Sequence, residues 1–129
     1  MTIQEPDFWG EIEVDGTVTP SMILKQQASL LGVKTNHLLE AEVRTHTYYD
    51  SFRHSFDLVV PGLDNYTYEL FKVSHGAKLY PVTPLSEADA RHNGEELLTE
   101  DDFKRWVHHK LSSPDTKRIV ANLLSMARS

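Results

Sequence analysis

Histidine is the residue type in this chain that most invites a search for an active site, because seven histidines occur in 129 residues. His46 and His54 lie on either side of the Tyr49–Ser51 turn, and His75 follows the third predicted strand. A three-residue turn would place His46 and His54 face to face across the hairpin, whereas a two-residue turn would place them on opposite sheet faces. The spacing favours scattered histidines at the surface or rim and leaves open whether any of them form a site.

Other patterns that carry chemistry are missing from the sequence. Cysteine is absent, which excludes disulfides, thiol nucleophiles and every cysteine-containing zinc site. No HExxH, GxSxG, GxxxxGK[ST] or GxGxxG motif occurs. Neighbouring carboxylates such as Glu40 and Glu42 share a strand face, which is typical of a solvated surface rather than an acid–base pair. The sequence therefore predicts no catalytic residue, no metal site and no cofactor.

The net charge of −6 is unevenly distributed along the chain. Residues 1–15 carry five acids and no base, residues 86–102 carry seven acids and one base, and residues 103–129 carry six bases and one acid. The second of these segments predicts an acidic docking surface for a basic protein. Its predicted partner-binding residues are Glu87, Asp89, Glu95 and Glu96. The alternative is that these acids screen the basic C-terminal helices of the same fold.

Aromatic residues concentrate in the predicted sheet, where they are typical either of core packing or of a stacking surface for bases. They are Tyr48, Tyr49, Phe52, Tyr66, Tyr68, Phe71 and Tyr80. The sheet region is electrically neutral and has no RNP-type pattern, so core and cross-strand packing is favoured over nucleic-acid stacking.

These observations favour a small intracellular protein-binding module, such as a neutralising inhibitor or immunity-type protein that docks a basic partner. Two alternatives stay open: a small histidine-dependent enzyme with a sheet-edge pocket, and an aromatic-sheet binder of single-stranded nucleic acid. Duplex nucleic acid is disfavoured because its binding depends largely on neutralising phosphates. The longest aliphatic runs are three residues and residues 1–15 lack a signal-peptide pattern, so we expect a soluble, cytoplasmic protein without membrane association.

The first part of the chain predicts a strand followed by a helix. Apolar and polar residues alternate over Phe8–Val14, which indicates a strand. Thr19 and Pro20 are typical of an N-cap and a first helical position, and Gly32 is suited to close the helix in a left-handed conformation. The sequence therefore predicts a helix over Pro20–Leu31.

The central part predicts an antiparallel meander, because its connections are too short for parallel crossovers. Alternating patterns cover Leu39–Tyr49, Phe52–Val60 and Tyr66–Val73, and Lys78–Val82 is a candidate short edge strand. The apolar phase slips between Leu70 and Phe71, which indicates a β-bulge or two buried faces. Residues 83–98, with an Asn93–Gly94 turn signal, are either a hairpin or a loop.

The last part predicts two helices. Thr99 with Asp102 resembles a capping box, and Ser113–Pro114 restarts a helix. The residues expected to be largely buried are Phe103, Trp106, Val107, Val120, Leu123 and Leu124. The predicted fold is a single α+β domain over residues 1–129. In it, one N-terminal and two C-terminal helices pack on an antiparallel meander of three to five strands.

Overall fold

The structure is a computed structural model, and it describes residues 6–85 and 96–129. One helix precedes a four-stranded antiparallel sheet and two helices follow it, so the predicted α+β fold class is confirmed. The helices are α1 (Pro20–Lys34), α2 (Glu100–Leu111) and α3 (Pro114–Ala127). The strands are β1 (Glu40–Tyr48), β2 (Ser51–Val60), β3 (Tyr66–His75) and β4 (Val82–Leu85).

The sheet is a meander in which the strands lie in chain order, β1-β2-β3-β4. Tyr48 pairs with Ser51, so β1 and β2 are joined by the two-residue turn Tyr49–Asp50, in which Tyr49 has a φ of 56°. This turn length decides the question left open by the sequence: His46 and His54 lie on opposite faces of the sheet.

A β-bulge in β3 accounts for the slip in the apolar phase. Phe56 pairs with Phe71, whereas Asp57 pairs with Glu69, so Leu70 is the extra residue. The bulge keeps Phe71 stacked on Phe56, with ring centroids 5.2 Å apart, while Glu69 stays opposite Asp57 on the other face. The bulge interpretation is therefore confirmed.

All three helix starts are capped as the sequence predicts. Thr19, Thr99 and Ser113 each accept a hydrogen bond through the side-chain oxygen from a backbone N–H three residues later, at 3.1–3.3 Å. Each cap satisfies one of the donors that a helix start leaves unpaired.

The core lies between the helices and one sheet face. Its buried hydrophobic members are Ile23, Leu24, Ala28, Phe56, Leu58, Phe71, Val73, Val82, Leu97, Phe103 and Val107. Burial of Phe103 and Val107 is confirmed, whereas the prediction is wrong in degree for four residues that are only half-buried: Trp106, Val120, Leu123 and Leu124. For Val120, Leu123 and Leu124 the reason is the position of α3, which contacts α2 and the short Pro61–Leu63 turn rather than the centre of the sheet. Trp106 lies in α2, where its ring packs against Phe71 and Phe103 and stays partly in solvent.

The predicted end of α1 is wrong by three residues. Gly32 remains helical, and the helix ends at Lys34 with Thr35 as its C-cap. The Thr35 hydroxyl lies 3.0 and 2.8 Å from the carbonyl oxygens of Leu31 and Leu39 and can donate its one proton to either, and the helix closes without a left-handed glycine. Gly32 instead lies close to the Glu40 side chain, whose flexible carboxylate end would have to move to make room for a Cβ.

The predicted strand over Phe8–Val14 is also wrong. These residues are irregular, and Phe8, Trp9, Ile12 and Val14 are 85%, 80%, 75% and 101% exposed. The alternating pattern has no neighbouring strand within the described residues, and an isolated strand cannot satisfy its backbone hydrogen bonds.

The last strand is displaced from its predicted position at Lys78–Val82. It begins at Val82, directly after Pro81, and it contains Pro84, which is tolerated in a short edge strand. Val82 and Leu97 also exchange two backbone hydrogen bonds, at 2.8 and 2.9 Å. The Asn93–Gly94 turn signal lies outside the described residues.

Candidate functional site

Two of the three histidines that the sequence singled out meet in the interior. His54 lies in β2 and His75 at the end of β3. Their Nε2 atoms are 2.7 Å apart, at hydrogen-bond distance, and their rings stack with centroids 4.8 Å apart. Both side chains lie on the helix-covered face and are buried, so the prediction of surface or rim histidines is wrong for this pair. The sheet register brings them together, because His54 pairs with Val73, two residues before His75.

Every ring nitrogen of the pair has a partner. His54 Nδ1 lies 2.8 Å from the Thr45 hydroxyl, and His75 Nδ1 lies 2.8 Å from the carbonyl oxygen of Gly76. The His75 Nδ1 atom must therefore carry a proton and donate it to Gly76. When both rings are neutral, His75 Nε2 accepts from His54 Nε2–H, and His54 Nδ1 accepts from the Thr45 hydroxyl.

This arrangement resists a second positive charge. Burial, followed by the charges of His75, Lys25 and His46, lowers the pKa of His54 from 6.5 to about 4. If both imidazoles were protonated, two N–H groups would face each other across 2.7 Å. The pair is therefore an internal hydrogen-bonded link between β1, β2 and β3, with no ring nitrogen left for a substrate. His46 is exposed on the opposite sheet face.

The described residues do not assemble a metal site. In residues 6–85 and 96–129, no group of three or more His, Cys, Asp or Glu side chains is placed to hold a metal ion.

A groove lies between the three helices and the sheet. It has a volume of about 820 Å³ and follows one face of α1 from Ile23 to Lys34, about 17 Å along the helix. Its floor is apolar and comes from the sheet and all three helices. The apolar lining residues are Val18, Ile23, Leu30, Leu31, Phe56, Leu58, Leu70, Val107, Leu111 and Val120.

The charges around this groove are all of one sign. Lys34, Lys104, His108 and Lys117 line it, together with neutral polar side chains, and no carboxylate is among the described lining residues. Lys104 is paired with Glu100 at 2.7 Å. Neither Lys34 nor Lys117 has a carboxylate partner within the described residues, so both ammonium groups are available to an anion.

The sheet face opposite the helices carries a mixed charge network. Buried Asp57 receives the Arg44 guanidinium at 3.3 Å, and the Ser55 hydroxyl donates to the same carboxylate at 3.4 Å. Burial raises the pKa of Asp57, although the Arg44 charge opposes this. Because charges of both signs alternate across this face, it lacks the basic surround of a nucleic-acid platform.

The exposed aromatic residues do not share one surface. Tyr48 lies on the open face, where the Arg53 guanidinium sits 3.9 Å from its ring centroid. Tyr66 and Tyr68 pair with Val60 and Leu58 and so belong to the helix-covered side. The expectation of core and cross-strand packing holds for Phe71 in the core and for Tyr66 and Tyr68 across from β2. The exposed tyrosines are too dispersed to form one stacking surface.

Of the predicted partner-binding residues, only Glu96 falls within the described part of the chain, and it is exposed. Glu87, Asp89 and Glu95 lie outside it. The acidic docking surface therefore stays a prediction.

The groove was missed because its walls come from distant parts of the sequence. One signal was available: α1 has apolar residues around more of its circumference than one sheet contact can cover. Leu30 remains 45% exposed, although it shares a helix with fully buried Leu24. Such a surplus indicates a second apolar contact, but it does not reveal what forms the opposite wall.

In residues 6–85 and 96–129, no helix has both the length and the apolar character needed to cross a bilayer. Comparison with protein-family models, with curated proteins and with solved structures finds no match for this chain.

Proposed function

We propose that this protein binds amphipathic anions, with the chemistry of a medium-chain carboxylate, in the groove between α1, α2, α3 and the sheet. The observation that carries the proposal is the charge of the groove. In a chain with a net charge of −6, every described ionisable side chain that lines it is basic. An apolar floor below two unpaired lysines matches a ligand with an acyl chain and one anionic head.

The dimensions of the groove support a small ligand. Its volume of about 820 Å³ lies within the range of about 300–1,000 Å³ that is usual for small-molecule sites. The groove is long and open along α1, which suits a linear chain better than a compact ring system. The apolar atoms of such a ligand would cover Leu30 and half-buried Val120, which the protein leaves partly in water.

The lysines that line the groove define where an anionic head would bind. Lys34 closes the last turn of α1, and Lys117 stands in the first turn of α3. Lys104 is already neutralised by Glu100, so it contributes less attraction. We therefore assign the head-group contacts to Lys34 and Lys117, and the chain contacts to the apolar floor.

The first test is calorimetric titration with decanoate, kept below its micelle concentration. We expect saturable binding that is about tenfold weaker in a Lys34→Gln/Lys117→Gln variant, since two exposed charge contacts contribute about 0.5–1 kcal/mol each. A Lys78→Gln/Arg128→Gln variant loses the same charge outside the groove and should bind as the wild type does. A third variant, Val120→Asp, should abolish binding while the helical signal is retained.

The choice of ligand head separates the proposal from simple apolar adsorption. Decanol and decyltrimethylammonium carry the same chain with a neutral and a cationic head, and both should bind more weakly than decanoate. Equal affinity for the three ligands would contradict a basic head-group site. So would an equal loss of decanoate affinity in the Lys34→Gln/Lys117→Gln variant and in its Lys78→Gln/Arg128→Gln control. Absence of saturable decanoate binding would also overturn the proposal.

A second candidate function is the predicted protein-binding module with its acidic docking surface. Exposure of Glu96, just before the acidic first turn of α2, supports it. If the acids serve a partner, replacing Glu87, Asp89, Glu95 and Glu96 with Gln should change the melting temperature by less than about 2 °C at low and high salt. Glu100–Asp102 are kept, because they start α2. A fall confined to low salt would show that the acids screen the protein's own basic helices instead.

A further inference from the structure

Two features of the fold lack a partner within the described residues. The first is the segment Phe8–Val14, whose strand pattern is intact although its apolar side chains are exposed to solvent. The second is the outer edge of β1, a nine-residue edge strand that pairs only with β2. This strand contains neither Lys nor Pro, the residues that commonly protect such edges.

We infer that Phe8–Val14 of one copy pairs antiparallel with the outer edge of β1 in a second copy, and that the exchange is reciprocal. Each copy then donates one strand and receives one, which gives a closed two-fold dimer. The added strand supplies the backbone hydrogen bonds that the β1 edge lacks, and it places the exposed apolar side chains against a sheet.

The side chains select one register. When Glu11 stands opposite His46, Glu13 stands opposite Arg44 and Trp9 opposite Tyr48, all on the open sheet face. Glu13 and Arg44 carry opposite charges, and Trp9 and Tyr48 form an aromatic pair; cross-strand pairs of both kinds are favourable.

On the helix-covered face, the same register places Ile12 beside Thr45 and Val14 beside Val43, and both are pairs of β-branched residues. The pairing ends at Val14, because Asp15 would face Glu42 and like charges repel. Asp15 also accepts the backbone N–H of Thr17 at 3.0 Å, which turns the chain away at this point.

The same chain does not fill its own β1 edge in the structure. Phe8–Val14 is irregular and has no strand partner within the described residues, and its apolar side chains stay in solvent. The segment is therefore free to pair with the β1 edge of a second copy.

Parallel pairing of the segment with β1 of its own chain would be less favourable. When Glu11 is opposite Arg44 in that direction, Trp9 faces Glu42 instead of Tyr48. The aromatic pair is lost, and the parallel ladder is the less stable one per residue. Antiparallel exchange with a second copy keeps the aromatic pair.

The first experiment measures molecular mass by sedimentation over a range of protein concentrations. We expect a concentration-dependent dimer whose dissociation constant rises at least tenfold in Glu11→Lys and in His46→Glu, and returns towards the wild-type value when both changes are combined. His109→Glu, on the exposed face of α2, serves as the matched surface control and should leave the mass unchanged. A wild-type monomer at all concentrations, or a double variant as weak as the singles, would overturn the inference.

The second experiment identifies the register, using the absence of cysteine from the natural chain. Glu11→Cys with His46→Cys should give a covalent dimer on mild oxidation, whereas Glu11→Cys with Ala41→Cys should not. Parallel pairing within one chain would instead give an internal disulfide, without a mass change, in Glu11→Cys with Arg44→Cys. That result, or equal cross-linking of all three pairs, would contradict an exchanged strand.

Discussion

Replacing Phe103 with alanine should lower the free energy of unfolding by about 3–5 kcal/mol, the largest single effect expected in this protein. The Phe103 side chain is 0% exposed and belongs to the central core cluster. It also links α2 to the sheet through Trp106, whose ring packs edge-on against Phe71 with centroids 5.1 Å apart. Removing the ring leaves a cavity that helix and sheet can only partly close.

Urea denaturation followed by circular dichroism measures this effect. Trp106→Ala should cost less, about 1–3 kcal/mol, because its ring is half-buried and loses less apolar contact. His109→Ala, on the exposed face of the same helix, should cost less than about 0.5 kcal/mol. A loss below about 1 kcal/mol for Phe103→Ala would show that α2 is not held against the sheet as the structure describes.

The second large effect is a dependence of stability on pH that originates in the His54–His75 pair. The pKa of His54 is about 4 in the folded protein, whereas an unperturbed histidine, as in the unfolded chain, has a pKa of 6.5. Between these values the unfolded chain binds a proton that the folded chain does not, so the free energy of unfolding falls as the pH falls. The contribution is fully present above pH 6.5, and about 3 kcal/mol of it should be lost by pH 4.

The contribution is isolated by comparing the wild type with His54→Gln across this pH range. Carboxylates also titrate here, among them Asp57, but their effects are common to both proteins and cancel in the difference. Glutamine can still donate to His75 Nε2 and accept from the Thr45 hydroxyl, so the variant keeps the link without the titrating group. As the pH falls, we expect the free energy of unfolding of the wild type to decrease relative to that of His54→Gln.

His109→Gln is the matched control for this measurement. His109 is exposed on α2 and is not among the charges that act on His54, so its replacement should leave the wild-type pH dependence intact. Parallel pH curves for wild type and His54→Gln would contradict the buried-pair account.

The sequence alone determined those features whose signals are local. Thr19, Thr99 and Ser113 were predicted as helix caps because each hydroxyl reaches a backbone N–H only three residues away. The bulge at Leu70 was visible because one extra residue shifts a period of two. The α+β class and the antiparallel order followed from alternating segments joined by connections too short for crossovers.

The tertiary structure alone decided which distant side chains meet. His54 and His75 are 21 residues apart, and their contact depends on the β2–β3 register and on the helix that covers it. The groove exists because α3 packs beside α2 at the end of the sheet, which leaves Val120 half-buried. The alternating pattern of Phe8–Val14 predicted a strand but not its partner. A periodic pattern encodes which face of a segment is apolar, whereas the surface that covers that face is set by the packing of the whole chain.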